Sequence, residues 1–490
     1  MDYQQLLLAL LPDLLVVVAL FAALGVDYSR MRGSRLAERF QVACQISAAG
    51  LIAGLAVILV QLTQASSFKA LASITDGQLV LDTSTLTLKA LLYAMGLGVL
   101  PLAKRDQITP QVSEYFALLL LATLGMGFVV TSRNLLGAFV ALELVSLSLY
   151  AMTVLNQAKR ASAEAALKYL TFGAVSSGFL LFGLSYLYGA TGQLDLTQMD
   201  MQRSPMLVLA YLLIFVGLGF KLALAPFHLW APDVYQNAPT PVAGWIGSGS
   251  KIAAAALLIV LLKPVSSTLK DALVPALAAL AVLSMVVGNL GALRQTNLKR
   301  LLAYSAIANA GYLLVGVVAF SAEGNTSVIF YVLVYSLASL GAFGVVAVLT
   351  DTLGRDAEIS DFNGCWTKTP GLAVAFLVFV LSLAGIPPLA GFLGKFYLFY
   401  AAIEAEPGAA SWNDGFYWLV AFALIMSVVS LYYYLRVLKA FLVAPSDDGK
   451  AVSIAPIKIG WAAGVTLWLL AIAVLALGLW PEPLLNLLSD

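Results

Sequence analysis

Apolar residues run along this chain in long blocks broken by short polar stretches, from a first block at 4–25 to a last at 457–480. A helix that crosses bilayer hydrocarbon needs about 20 mostly apolar residues. On that measure fourteen spans are predicted: 4–25, 40–62, 80–102, 113–131, 134–156, 165–190, 206–230, 241–263, 272–293, 299–320, 327–350, 370–403, 415–442 and 457–480. The loops are short and leave no sizeable soluble domain. Unpaired amides facing lipid are too costly for open sheet or irregular backbone. The expected fold class is therefore an all-α, polytopic membrane protein.

Two spans are expected to break. Pro226 removes a backbone donor and clashes with the preceding turn, so span 7 should break near it. Span 12 should break at Pro387, Pro388 and the glycines around them. Non-helical backbone at membrane depth is tolerated only where it lines a cavity or packs on protein. Interrupted spans in matching positions of two halves point to a transport site. Here the positions match: spans 4–8 and 9–13 form two five-helix units, and spans 7 and 12 are each the fourth member. Five is odd, so the second unit is expected to be inverted. The chain then divides into a three-helix segment at 1–112, repeats at 113–263 and 264–444, and a last helix within 445–490.

Charge sharpens this picture. Of the 27 basic residues, 17 fall in or beside odd-numbered loops and 5 in even-numbered ones. By the positive-inside rule the odd loops face the cytoplasm and both termini face the other side. The N-terminus lacks the basic start of a signal peptide, so its apolar run is expected to stay as a first span. Five lysines remain inside spans, Lys89, Lys168, Lys221, Lys251 and Lys395, together with Glu143 in span 5. A charge at the bilayer centre costs about 2.5–3.5 kcal/mol even on the lenient scale. These groups must face one another or water, and such residues usually mark an ion path.

Each has a plainer reading too. Glu143 and Lys221 lie at compatible depths, either as a fixed ion pair or as one whose opening switches a proton on and off the lysine. Lys251 sits among small residues that leave room for water. Lys168 lies a turn and a half inside span 6 and either joins the path or snorkels to the face. Lys395 follows the second break. His228, the only histidine, sits beside the first break, as a structural donor or a relay that titrates near physiological pH. Tyr304, Ser305 and Asn309 are candidates to bridge water between the two units. Lys89 is expected to pair with Asp82, and Asp13 to be interfacial. The aromatic runs "FYWLVAF" and "YYYLRVL" read mostly as interface belts. Glycines within spans read as close helix packing.

Composition excludes other classes. The chain is 61% hydrophobic and 11% charged, with mean hydropathy +0.93. An ordinary soluble domain is about one quarter charged. The net charge of +1 gives no electrostatic case for nucleic acid. Cys44 and Cys365 match no metal or cluster spacing. The stretch 244-GWIGSG-249 has its glycines in the wrong order for a phosphate loop. No metal site and no means of carrying electrons is visible, so energy must arrive from partners.

The run 220-FKLALAPFHLWAPDVYQNAPTPVAGWIGSGSKIA-253 resembles the signature of the antiporter-like membrane subunits of respiratory complex I and of multisubunit cation/proton antiporters. The stretch 382-SLAGIPPLAGFLGKF-396 resembles that family's second broken helix. "PDVYQNAPTPV", the Ser250–Lys251 pair, lysine at 395 and the lack of a long C-terminal extension are similar to the N-type branch. Asn237 departs from the more usual glycine. The resemblance implies the fourteen-helix fold with two inverted repeats. It also implies that Glu143 and Lys221 are the charged pair, Lys168 the accessory lysine, Lys251 the central one and Lys395 the distal one. It further implies proton translocation in a bacterial inner membrane beside K- and M-type subunits, with NADH, flavin, iron–sulfur clusters and quinone held by partner subunits. The sodium/proton antiporter alternative, driven by an ion gradient, stays open at this point.

Overall fold

A computed structural model of the chain describes residues 3–68, 75–106, 109–155, 160–199, 201, 203–363, 365–405, 416–442 and 459–489. Of the loop cations counted above, Lys69, Lys159, Lys450 and Lys458 lie outside these residues. The apolar blocks fold as helices, and among the described residues there are isolated β-bridges but no strand. Thirteen helices are long and apolar enough to cross a membrane. The remaining crossing, span 12, is split into the shorter helices Pro370–Ala384 and Ala390–Ile403. All fourteen expected spans are therefore present.

The chain forms two compact units: Met1–Leu218 with Ile252–Leu273 and Asn486–Asp490, and Gly219–Lys251 with Val274–Leu485. In the first, span 4 (Val112–Thr131) is the central helix and packs on spans 1, 2, 3 and 5. Small residues allow the close approaches expected of membrane helices. A methyl on Gly217 would lie 2.5 Å from the Leu180 Cβ.

The first unit corrects two expectations. Asp13 is not interfacial but buried, at 3% exposure. Lys89 pairs with it, and not with Asp82, at 2.6 Å, while the Tyr93 hydroxyl donates to its other oxygen at 2.8 Å. Asp82 instead precedes the first turn of span 3 (Thr83–Asp106) and accepts from the Thr85 amide at 2.7 Å. Its carboxylate serves a free helix-end donor, as capping residues do. Lys89 therefore needs an internal anion, which span 1 supplies. Removing one member of a buried pair costs about 3–5 kcal/mol, whereas replacing both by apolar groups is often neutral. Asp13→Asn is expected to lower the thermal midpoint of the purified protein, and Asp13→Leu with Lys89→Met to restore it. Equal midpoints in the single and double variants would contradict this.

In the second unit the hub is span 11 (Ala322–Leu353). It is apolar on all sides, and every residue of its most apolar stretch is buried, as expected for a helix surrounded by others. Spans 10 and 14, both halves of span 12 and the first half of span 8 pack around it.

One local motif occurs once in each unit. Asn134 caps span 5, accepting from the Leu136 and Gly137 amides, and forms an antiparallel bridge with Asp195. Asn297 caps span 10, accepting from the Arg300 amide, and bridges Glu358 in the same way. Both bridges join residues 61 apart (134 to 195, 297 to 358), and each second partner leads directly into a 3-10 turn. The Asn-Leu pairs at 134 and 297 are thus equivalent points of an internal repeat.

Candidate functional site

Both broken helices end in the same way. The helix of span 7, Pro205–Leu222, stops four residues short of Pro226. Proline restricts the residue before it as well as blocking its own turn, so the regular helix ends early. Ala223 then turns left-handed, with φ 60°. Its amide donates to Phe220 O and that of Leu224 to Gly219 O. The first half of span 12 stops at Ala384, and Gly385 turns left-handed at φ 82°. The Gly385 amide donates to Ser382 O and that of Ile386 to Leu381 O. This is the hydrogen-bond pattern of a Schellman cap. Each break continues through a cis X-Pro peptide, Ala225–Pro226 and Pro387–Pro388.

Serine hydroxyls take the amides that the breaks release. Ser284 Oγ accepts from the Ala225 amide at 2.9 Å, and Ser382 Oγ from Gly391 at 3.2 Å. The Trp230 indole donates back across the first break to Phe220 O at 3.1 Å. The helix Ala231–Asn237 beyond it is held at Asp233 by Arg300 at 2.8 Å. His228 lies half-buried in the connecting turn, where its carbonyl accepts from the Ala231 amide.

Two lysines meet these breaks at equivalent atoms. The Lys251 amine makes a short hydrogen bond to Leu222 O, the carbonyl just before the left-handed residue. The Lys395 amine donates to Ala384 O, the matching carbonyl, at 3.2 Å and to Leu383 O at 3.4 Å. Lys251 and Lys395 are buried, at 3% and 5% exposure. The C-terminal end of a helix carries about half a negative charge, and a cation there gains about 0.3–2 kcal/mol. Lys251 reaches it because span 8 is itself interrupted, into Thr240–Gly247 and Gly249–Leu262. That break was not expected. Gly247, Ser248 and Gly249 are poor helix formers, and the Ser248 hydroxyl bonds back to Gly244 O at 2.7 Å. The Ser248 carbonyl accepts from the Lys251 amide and from Ser336 Oγ.

Around Lys395 lies a buried network that sequence reasoning saw only in part. Ser427 Oγ is 3.3 Å from the amine, and the Tyr312 ring centre is 4.8 Å away. A cavity lined by Lys395, Ser382, Asn309, Tyr331 and Tyr335 has room for about one water molecule. Asn309 accepts from the Tyr331 hydroxyl at 2.6 Å and donates to Ser305 O at 2.8 Å. Ser305 shares a short bond with Tyr434. Tyr433 donates to Asn289, which in turn donates to Tyr312. Tyr433 and Tyr434 are thus interior groups, and of the "YYY" run only Tyr432 faces outward, at 65% exposure. Ser305 and Asn309 are brought to Lys395's surroundings. Tyr304 instead packs over Gly291.

Of the other expected residues, Lys221 lies in the last turn before the first break, buried at 8% exposure, with its amine 5.4 Å from the Phe220 ring centre. Glu143 and Lys168 belong to the first unit. Glu143 is half-buried and accepts from Ser177 Oγ at 2.6 Å. Lys168 pairs with Glu164 one turn earlier at 2.8 Å, its side chain 39% exposed.

A family model described as "NADH:quinone oxidoreductase/Mrp antiporter, TM" matches residues 132–430, which include both breaks. The chain belongs to this family. It is 44% identical to "NADH-quinone oxidoreductase subunit N 2" of Acidobacterium capsulatum, with 99% of each chain covered. Identity to "NADH-quinone oxidoreductase subunit N" of Desulforamulus reducens is 41%, over 76% of each. A chain of respiratory complex I from Thermus thermophilus shares 34% identity and a TM-score of 0.80, covering 98% of this chain and 100% of that one. A chain of the Mrp complex from Dietzia sp. DQ12-45-1b reaches a TM-score of 0.79 at 22% identity, with 100% and 97% covered, a likeness of fold alone.

Proposed function

We propose that this chain is a proton-translocating N-type subunit in the membrane arm of an NADH–quinone oxidoreductase. NADH, flavin, iron–sulfur clusters and quinone are handled by other subunits, and K- and M-type subunits are its neighbours in a bacterial inner membrane. Lys221, tuned by Glu143, takes up a proton beside the first break, with His228 and Lys168 on the approach. Lys251 passes it on across the middle, and Lys395 governs its release.

One observation supports the mechanism above the rest: two buried amines donate to equivalent helix-end carbonyls. An ammonium docked there gains the helix-end interaction, whereas a neutral amine gains much less. Burial works against the charged form. Small movements of the amine between the carbonyl and nearby hydroxyls or water therefore change how tightly the proton is held. The irregular backbone at each break supplies a helix-end carbonyl that the amine can take up or leave.

The complex purified in mild detergent should carry flavin and cluster absorbance. Lys221→Ala and Glu143→Ala should leave that absorbance and NADH oxidation by a soluble artificial acceptor near normal. Proton pumping by inverted vesicles, normalised to acceptor activity, should fall. Copurification without flavin or clusters would sink the redox assignment, and undiminished pumping in assembled variants would sink the proton path.

A further inference from the structure

A groove on the second unit has a composition that neither the helix breaks nor the buried network uses. It runs between the first half of span 12 and the last turns of span 13, Tyr417–Leu442, with a volume of about 700 Å³. Leu377, Leu381, Leu435 and Leu438 form its walls, and Arg436 and Lys439 stand in its lining. From Tyr432 to Leu442 the span 13 wall is about 15 Å long, at 1.5 Å per residue, enough for much of an acyl chain.

The two cations lie near a helix end. Arg436 donates to Leu293 O and Gln295 O, the carbonyls that close span 9. Those acceptors bear only the partial charge of a helix end and offset the guanidinium in part, and its buried Nε–H has no partner among the described residues. No carboxylate pairs with Arg436 or Lys439 among the described residues. Leucines along a trough with two cations that meet no carboxylate among the described residues match an acyl chain below a negatively charged headgroup. A zwitterionic headgroup brings a phosphate together with a cation of its own, so its net attraction to the two basic side chains is smaller. Basic pockets between membrane helices favour anionic lipid on these grounds.

We propose that this groove binds an anionic phospholipid, with an acyl chain along the leucine walls and its phosphate against Lys439 and Arg436. The inference does not depend on the proton path. It is tested on the intact complex in vesicles of phosphatidylcholine doped with phosphatidylglycerol carrying a photoactivatable acyl chain. The peptide spanning 432–442 should be labelled by this lipid. Labelling should fall about fivefold in Lys439→Gln, the change expected for one surface cation. Leu435→Trp, which fills the trough from its exposed side, should abolish it. The same photolabel on phosphatidylcholine should mark this peptide no more than the exposed face of span 6. Equal labelling by both lipids would overturn the proposal, as would absence of labelling by the phosphatidylglycerol probe or full labelling in both variants.

Discussion

Lys251→Arg and Lys395→Arg are each expected to assemble normally and yet lose proton pumping. Arginine keeps the positive charge and its donors, so it still docks on Leu222 O or on Leu383 O and Ala384 O. It differs in one respect, since guanidinium does not release its proton in proteins. The substitution therefore separates two roles that alanine would remove together. Were the lysines only caps for the broken helices, arginine would preserve function. If they carry protons, arginine fails and pumping normalised to NADH oxidation by a soluble acceptor falls. A positioned proton-transfer group contributes about 100-fold or more, so flux through this subunit should become unmeasurable beside the wild type. Retained pumping in both variants, with normal subunit content, would reduce these amines to structural pins.

The same contrast explains what was legible in the sequence. Spans were readable because the length of an apolar block is a property of the chain itself and needs no partner. Breaks at Pro226 and at Pro387–Pro388 were readable because proline acts on its own turn, although Pro12, Pro101 and Pro275 lie within continuous helices. Lysines at depth stood out against apolar surroundings. What the amines touch was not readable, because a backbone carbonyl has no signature in the sequence. Tyr432, Tyr433 and Tyr434 are identical letters whose side chains point about 100° apart on a helix, so their different fates depend on which neighbours packing brings. Asp13 became Lys89's partner through a contact 76 residues away along the chain. The interruption of span 8 did have a signal, the Gly-Ser-Gly at 247–249, which serves there to carry Lys251 to the first break. The matching places of the two broken spans pointed to the repeat, and the bridges from Asn134 to Asp195 and from Asn297 to Glu358 add a shared local structure that no single residue announces.

Gly391→Ala is expected to be the most damaging single methyl in the chain's second broken helix. The second half of span 12 begins at Ala390 and folds back on the last turn of the first half. A Cβ on Gly391 would lie 1.8 Å from Ser382 O. That oxygen belongs to the backbone of a helix and has no rotamer by which to yield. Overpacking costs about 1–3 kcal/mol where side chains can adjust, and more where they cannot; here about 3 kcal/mol or more is expected. Relief requires the two halves to part, which breaks the hydrogen bond that the Gly391 N–H donates to Ser382 Oγ. Lys395, one turn further along the same short helix, is then drawn away from Leu383 O and Ala384 O. The variant should accumulate poorly in membranes, and any that assembles should not pump. Gly178→Ala is the control, because a methyl there meets nothing within 4 Å. Wild-type level and pumping for Gly391→Ala would mean that the two halves of span 12 do not need to meet, and that the amine's place at the helix end is not what this glycine protects.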